Sequence, residues 1–297
     1  MGCHLDGQSR PLARRSARDG AEIVRRLSPG TRAVSCWPAI AQPRPLLLWI
    51  ALFLAAGPSV RAAGWPDEYQ AGQFICHADF PLAPYRGLLD SIPEHQQDLW
   101  QALGIQPSRE PIHLFLFQKK STYQTYVKQY FPDVPSRKAL FIKGRGPGMV
   151  FAHLGDGFEE DVRHECTHAL LNAALPMVPL WLDEGLAEYF EVPAEQRAYG
   201  NPHLAFVKWN ARLGQVPRLE TLERVGDLNE MGRTRYRQAW AWVHFMLHGP
   251  PEARDELRRF LADIQALTPP GQLSQRLRQR LPDLEQQFAA HFKSWKP

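Results

Sequence analysis

The chain is poor in cysteine, in long apolar runs and in net charge, and each shortage removes a class of protein. Cysteine occurs four times in 297 residues, at Cys3, Cys36, Cys76 and Cys166. Beyond residue 62 only Cys76 and Cys166 remain, so at most one bridge is available there, and sequence does not decide whether the two thiols meet. The apolar run Leu46–Ala56 is well short of the roughly 20 residues that span a bilayer as a helix. No internal repeat and no low-complexity tract follows it, which argues against a solenoid or an array. The net charge of +4 is misleading. Residues 1–62 hold nine Arg against Asp6, Asp19 and Glu22, a surplus of six positive charges, so the rest of the chain carries −2. A nearly neutral remainder implies no nucleic-acid partner.

The basic segment has the parts of a secretory signal. Arg44 precedes the apolar run, Gly57 and Pro58 break it, and Val60-Arg61-Ala62 reads as a small-residue cleavage site. Cleavage near Ala62 and export to the periplasm, cell envelope or exterior are expected. Membrane attachment follows only if the segment is retained as an anchor. The residues before Arg44 are long for a signal, and a start near Val34 would give an ordinary length. The expected division is therefore a leader over 1–62 and one domain over 63–297.

Within that domain, strand-like runs come first: QFICHADF at 73–80, IHLFLF at 112–117, ALFIK at 139–143 and MVFAHL at 149–154. They are β-branched or aromatic, several alternate, and helix-like stretches at 87–103 and 121–130 separate them. After Phe158 the pattern is helical throughout, including amphipathic stretches near 252–266 and 272–295. A small mixed sheet over 63–157 followed by a helical part over 158–297 is an α+β order. The strand MVFAHL, just ahead of the first helix of that part, is expected to line a cleft and pair with an extended peptide.

The chemistry concentrates in HECTH, His164 to His168. Residues four apart on a helix are about 40° apart around its axis, so His164 and His168 share a face. Phe158, Val162, Cys166, Ala169 and Leu170 fall on the opposite arc and form a packing face. Glu165 lies beside the histidines, where its carboxylate can act as a base without being a ligand. Cys166 points away from the ligand face and reads as a core residue. Pro176 and Pro179 then mark a short turn before a second helix, WLDEGLAEYF, whose near face carries Glu184, Glu188 and Glu191. Folded antiparallel to the first, this helix would bring Glu184 to the histidines as a third ligand, leaving a fourth position for water.

HECTH together with LWLDEGLAEYF resembles the gluzincin metallopeptidases, most closely the secreted bacterial peptidase-MA-like proteins. The resemblance runs from about Phe74 to the C-terminus, although only Arg163 to Phe190 is motif-specific. It implies a zincin-like fold with the HExxH helix between sheet and helical lobe, one Zn2+ ion, Glu184 as third ligand, and Glu188 supporting a ligand histidine. The interval from His168 to Glu184 is shorter than in the aminopeptidase branch, and no G-[AG]-M-E-N signature is present. Exopeptidase specificity is therefore not implied.

An electrophilic helper for the developing oxyanion is also expected. Tyr236 opens the helical run YRQAWAWVHFML, as a Tyr does in similar proteins, and His244 on roughly the same face is the alternative. Arg233, Arg235 and Arg237 could meet a substrate carboxylate, but such a run more often forms a solvated face. His77, His113 and His153 sit in strand-like runs and read as core or surface residues, with His153 nearest to a cleft. Asp183 could bond nearby or simply face solvent. The expected function is zinc-dependent hydrolysis of peptides or proteins with Glu165 as general base. The alternatives are a non-catalytic binding module of the cell envelope and a zinc hydrolase of non-peptide amides or esters.

Overall fold

In the computed structural model, which describes residues 65–296 apart from Ser136 and Arg145, alternation of side chains along short runs produces a five-stranded sheet. Its strands are β1 (Asp67–Ala71), β2 (Phe74–Ala78), β3 (Ile112–Phe117), β4 (Ala139–Ile142) and β5 (Gly148–His153), in the order β1-β2-β3-β5-β4. The three central strands are parallel, and β1 and β4 close the two edges antiparallel. The strand β1 escapes a hydrophobicity reading because Glu68 and Gln70 face solvent on an edge. Gly72 at φ +60° opens the tight turn from β1 into β2. The expected leader and the expected cleavage site near Ala62 lie outside the described residues.

Two helices cross between the strands, α1 (Arg86–Leu103) and α2 (Lys120–Tyr130). Then come α3 (Phe158–Ala174), α4 (Leu180–Phe190), α5 (Leu204–Arg212), α6 (Leu219–Glu223), α7 (Arg233–His248), α8 (Pro251–Gln265), α9 (Leu273–Arg280) and α10 (Leu284–Ser294). The stretch 272–295 is two helices rather than one. Pro282 supplies no N–H to continue the first, and the chain turns between Leu281 and Asp283. The described residues are thus mixed α and β, with one small mixed sheet. Among them no helix is long and apolar enough to cross a membrane.

The cores explain how the layers join. Val162, Cys166, Ala169 and Leu170 of α3 pack with Phe74, Leu114 and Val150 of the sheet and with Leu89 and Ile92 of α1. The next residue, Leu171, enters a second core built from Trp181, Leu186, Trp240, Trp242 and Phe288 of the helical part. A single helix is therefore wedged between sheet and helices. The other face of the sheet is covered by α2 through Tyr123, Val127, Phe117 and Phe151. Burial of this aromatic and aliphatic surface is worth about 25 cal/mol per Å².

Cys76 and Cys166 are both free and both buried in the same apolar cluster. Burial pushes the Cys76 thiol up to about 12 and that of Cys166 well above its ordinary range, so neither is a reactive thiolate.

Candidate metal centre and cleft

Helix α3 begins after Gly157, which takes φ +79°, and its first turn carries Glu159, Glu160 and Asp161 where the helix dipole favours negative charge. It ends at Ala174, and a five-residue turn to Pro179 folds α4 back beside it. Arg163 fastens the pair, its buried guanidinium donating through Nε to the Glu191 carbonyl at 2.6 Å. On the far side His95 of α1 meets Thr167 Oγ1 at 2.9 Å, and Thr167 donates back to the Arg163 carbonyl.

With the helices so placed, Glu184 faces both histidines. Its Oε2 lies 3.6 Å from His164 Nε2 and 3.7 Å from His168 Nε2. The three side chains form a group whose donor atoms all lie within 4.8 Å of one another and which could hold a metal ion. Ligands about 2.1 Å from a common tetrahedral ion stand about 3.4 Å apart, so the spacing suits such an ion with little adjustment.

The other ring nitrogens are already committed. His164 Nδ1 donates to Glu191 Oε2 at 2.9 Å, and His168 Nδ1 donates to Asp183 Oδ2 at 2.9 Å. Both imidazoles are therefore turned with Nε2 toward Glu184, the tautomer a metal ligand needs. Glu188, expected to support a ligand histidine, lies with Glu191 and His164 in a group of ligand atoms within 4.8 Å of one another. Its Oε2 accepts from His203 Nε2 at 2.8 Å, while the two imidazoles donate their hydrogen bonds to Glu191 and Asp183. Glu191 stands seven residues after Glu184, on the same side of α4, which is the one sequence cue that could have nominated it.

The electrostatics favour a cation. Burial opposes charge on His164, yet its bonds to Glu184 and Glu191 hold it well above the ordinary imidazole range. His168 is raised by Asp183 against the same burial penalty. Burial would raise Glu184, but His164 and His168 hold it below the ordinary carboxylate value. Without a metal, protons on the histidines supply the positive charge that these carboxylates attract.

A cleft of about 320 Å³ opens over this group, with Glu165, His168, Asp183 and Glu184 in its floor. Leu140 and Phe141 of β4 form one wall and Leu180, Leu228 and Asn229 another. The wall strand is β4 and not β5 as sequence suggested: β5 is paired on both sides, by β3 and β4, and has no free edge to offer. Arg137, which the sequence reading passed over, also lines the cleft.

Tyr236 reaches the same neighbourhood. Burial and, after it, the Glu184 carboxylate push its phenol up to about 12 against the neighbouring Arg137 guanidinium, which lowers it. His244 is elsewhere: its Nε2 donates to the Ala198 carbonyl at 3.0 Å and its Nδ1 faces His291 Nε2 at 3.1 Å, inside the helical core. The alternative donor is thus withdrawn by packing. Arg237 stacks on Phe206, and Arg235 bonds to Glu230. His77 and His113 bond to each other at 2.9 Å and form a stack with Phe115 on the sheet. His153 packs on Tyr123, with Nδ1 on the Leu154 carbonyl. Compared with known proteins, the sequence matches no family model and no curated protein.

Proposed function

We propose that this chain is a secreted, zincin-like, zinc-dependent peptidase. One observation carries the reading: two Nε2 atoms and one buried carboxylate converge at 3.6–3.7 Å, and an additional carboxylate, Glu165, stands in the same open cleft without belonging to the converging set. A site that only stabilised the fold would need no spare base beside an accessible position. The donor set of two imidazoles and one carboxylate favours zinc among the common divalent ions.

Bound zinc would be held by His164, His168 and Glu184 and would supply Lewis-acid polarisation and a water acidic enough to ionise near neutral pH. The chain's own groups divide the rest of the work. Glu165 takes a proton from the attacking water and returns it to the leaving nitrogen. Glu191 and Asp183 hold the imidazoles in register. Tyr236 donates to the oxygen that gains charge. Arg137, which lines the cleft and lowers the Tyr236 phenol, is the positive group beside that donor. The outer side of β4, at the end of the sheet, offers backbone groups to which an extended peptide can add as a further strand.

The test is elemental analysis of residues 63–297 together with assay on a quenched-fluorescent peptide library, with wild type and Glu165→Gln side by side. About one zinc per chain and cleavage by the wild type alone are expected. Zinc without cleavage in either protein would favour a binding module or a non-peptide substrate, and absence of zinc would overturn the ligand set.

A further inference from the structure

The helix α5 is two-sided in an unusual way for a surface element. Leu204, Val207 and Ala211 are buried against the helical core. On the opposite side Phe206 is 39% exposed, Trp209 60%, and Leu213, just past the helix end, 57%. Spacings of three and four residues put these side chains in one stripe. They are half of the six large apolar residues exposed among the described residues, and Tyr199, at 42%, is a fourth. Tyr199 stacks on Trp295 with ring centroids 5.2 Å apart, and the Trp295 carbonyl accepts from Lys208 Nζ at 2.7 Å. Lys208 therefore joins this second aromatic pair to the stripe.

The segment that carries the stripe has charged side chains of one sign. From Gln196 through Leu219 the chain contains no Asp or Glu, although residues 63–297 together carry a net −2. Arg197 turns inward to Asp98 and Arg218 lines a separate groove with Glu220 and Glu285, which leaves Lys208 and Arg212 as the cations of the segment beside the stripe. A groove of about 250 Å³ beside the stripe is lined by Phe206, Val216, Pro217 and Arg237, and no carboxylate lines it. Arg237 lies over the Phe206 ring at 4.5 Å, so its charge also borders the patch.

We propose that this face is a docking surface for an anionic lipid bilayer. Trp, Tyr and Phe gain most at the boundary between headgroup and acyl chain, where one end of the side chain is apolar and the other wet. Lys and Arg at the rim of such a stripe meet lipid phosphates while their stems lie along the apolar surface. A projecting stripe one helix wide enters a fluid headgroup layer without a matching cavity, whereas a protein partner would have to supply one. The attachment is electrostatic and shallow, hence reversible and weakened by salt. It does not depend on the peptidase reading, because no residue of the metal group takes part.

The experiment is co-sedimentation of residues 63–297 with vesicles of phosphatidylglycerol and phosphatidylcholine, and with phosphatidylcholine alone, over a range of salt. The comparison proteins are the triple variant Phe206→Ser, Trp209→Ser, Leu213→Ser and the charge variant Arg212→Gln, each with its thermal unfolding measured. Expected are binding to the anionic vesicles that falls with salt, loss of it in the triple variant, and weakening of about fivefold for Arg212→Gln, the effect of one juxtamembrane cation worth about 1 kcal/mol. Failure of the wild type to sediment with anionic vesicles at low salt would overturn the proposal. So would equal binding by the triple variant, or wild-type self-association that the triple variant abolishes without any lipid binding. Should the triple variant unfold, Trp209→Gln alone carries the same comparison.

Discussion

Gly185 and Ala239 touch backbone to side: a β-carbon added at Gly185 would lie 2.8 Å from both the carbonyl carbon and the carbonyl oxygen of Ala239 and 3.0 Å from Val243 Cγ2. Helices α4 and α7 therefore approach as closely as they do because residue 185 has no side chain. The metal-group residue Glu184 precedes it, and Tyr236 lies just under one turn before Ala239, so this contact sets how near the phenol comes to the carboxylate.

Gly185→Ala is accordingly expected to cost about 1–3 kcal/mol of stability, because backbone atoms cannot yield without moving a helix. Turnover should fall further than stability alone explains while zinc remains bound. Calorimetry, metal content and peptide turnover measured together check this, and an unchanged melting temperature with full activity would contradict it.

Tyr236→Phe removes one donor to a developing oxyanion. A loss of about 10²-fold in kcat with metal content and KM little changed is expected. Arg137→Gln should lower kcat less, and should do nothing further in the Tyr236→Phe background, because the guanidinium acts through the phenol. Additive losses in the double variant would mean that Arg137 contacts substrate instead.

The carboxylates around the histidines separate by their hydrogen bonds. Glu191→Gln and Asp183→Asn each withdraw the acceptor of a ligand imidazole and are expected to weaken metal binding about 10–100-fold. Glu188→Gln breaks a bond to His203 and should leave metal affinity nearly intact. Competition with a chromophoric chelator measures all three, and a larger effect at Glu188 than at Glu191 would reverse the assignment.

Two buried histidines whose shifts owe nothing to a carboxylate predict acid sensitivity. Burial lowers His95 to about 3, helped by Arg197 and Arg163, and lowers His244 to about 3. In the unfolded chain both would titrate near 6.5, so the folded state binds fewer protons below that value. Their contribution to stability is present above pH 6.5 and is lost as pH falls from there toward 3, by up to roughly 1.4 kcal/mol per pH unit for each. Denaturant unfolding across this range checks the slope, and His95→Gln should flatten it.

What sequence alone determined is what one helix or one strand can determine. The spacing of His164 and His168, the apolar arc of Val162, Cys166 and Ala169, and the alternation in IHLFLF are local geometry, set by 3.6 or 2 residues per repeat whatever the neighbours do. The position of Glu184 was also legible, because Pro176 and Pro179 make the turn short enough to leave one way back. Tertiary structure decided the rest. Whether Glu188 or Glu191 meets His164, and whether Tyr236 or His244 faces the cleft, depends on the rotation and separation of α4 and α7 about the Gly185 contact, and residues on the same helix face cannot be ranked without it. Arg137 was unreadable, since it stands in a loop with no repeat and comes near Tyr236 only after 98 intervening positions of chain fold back. The edge strand was misassigned for a related reason: hydrophobic pattern identifies strands, while the order β3-β5-β4 is fixed by pairing across the sheet.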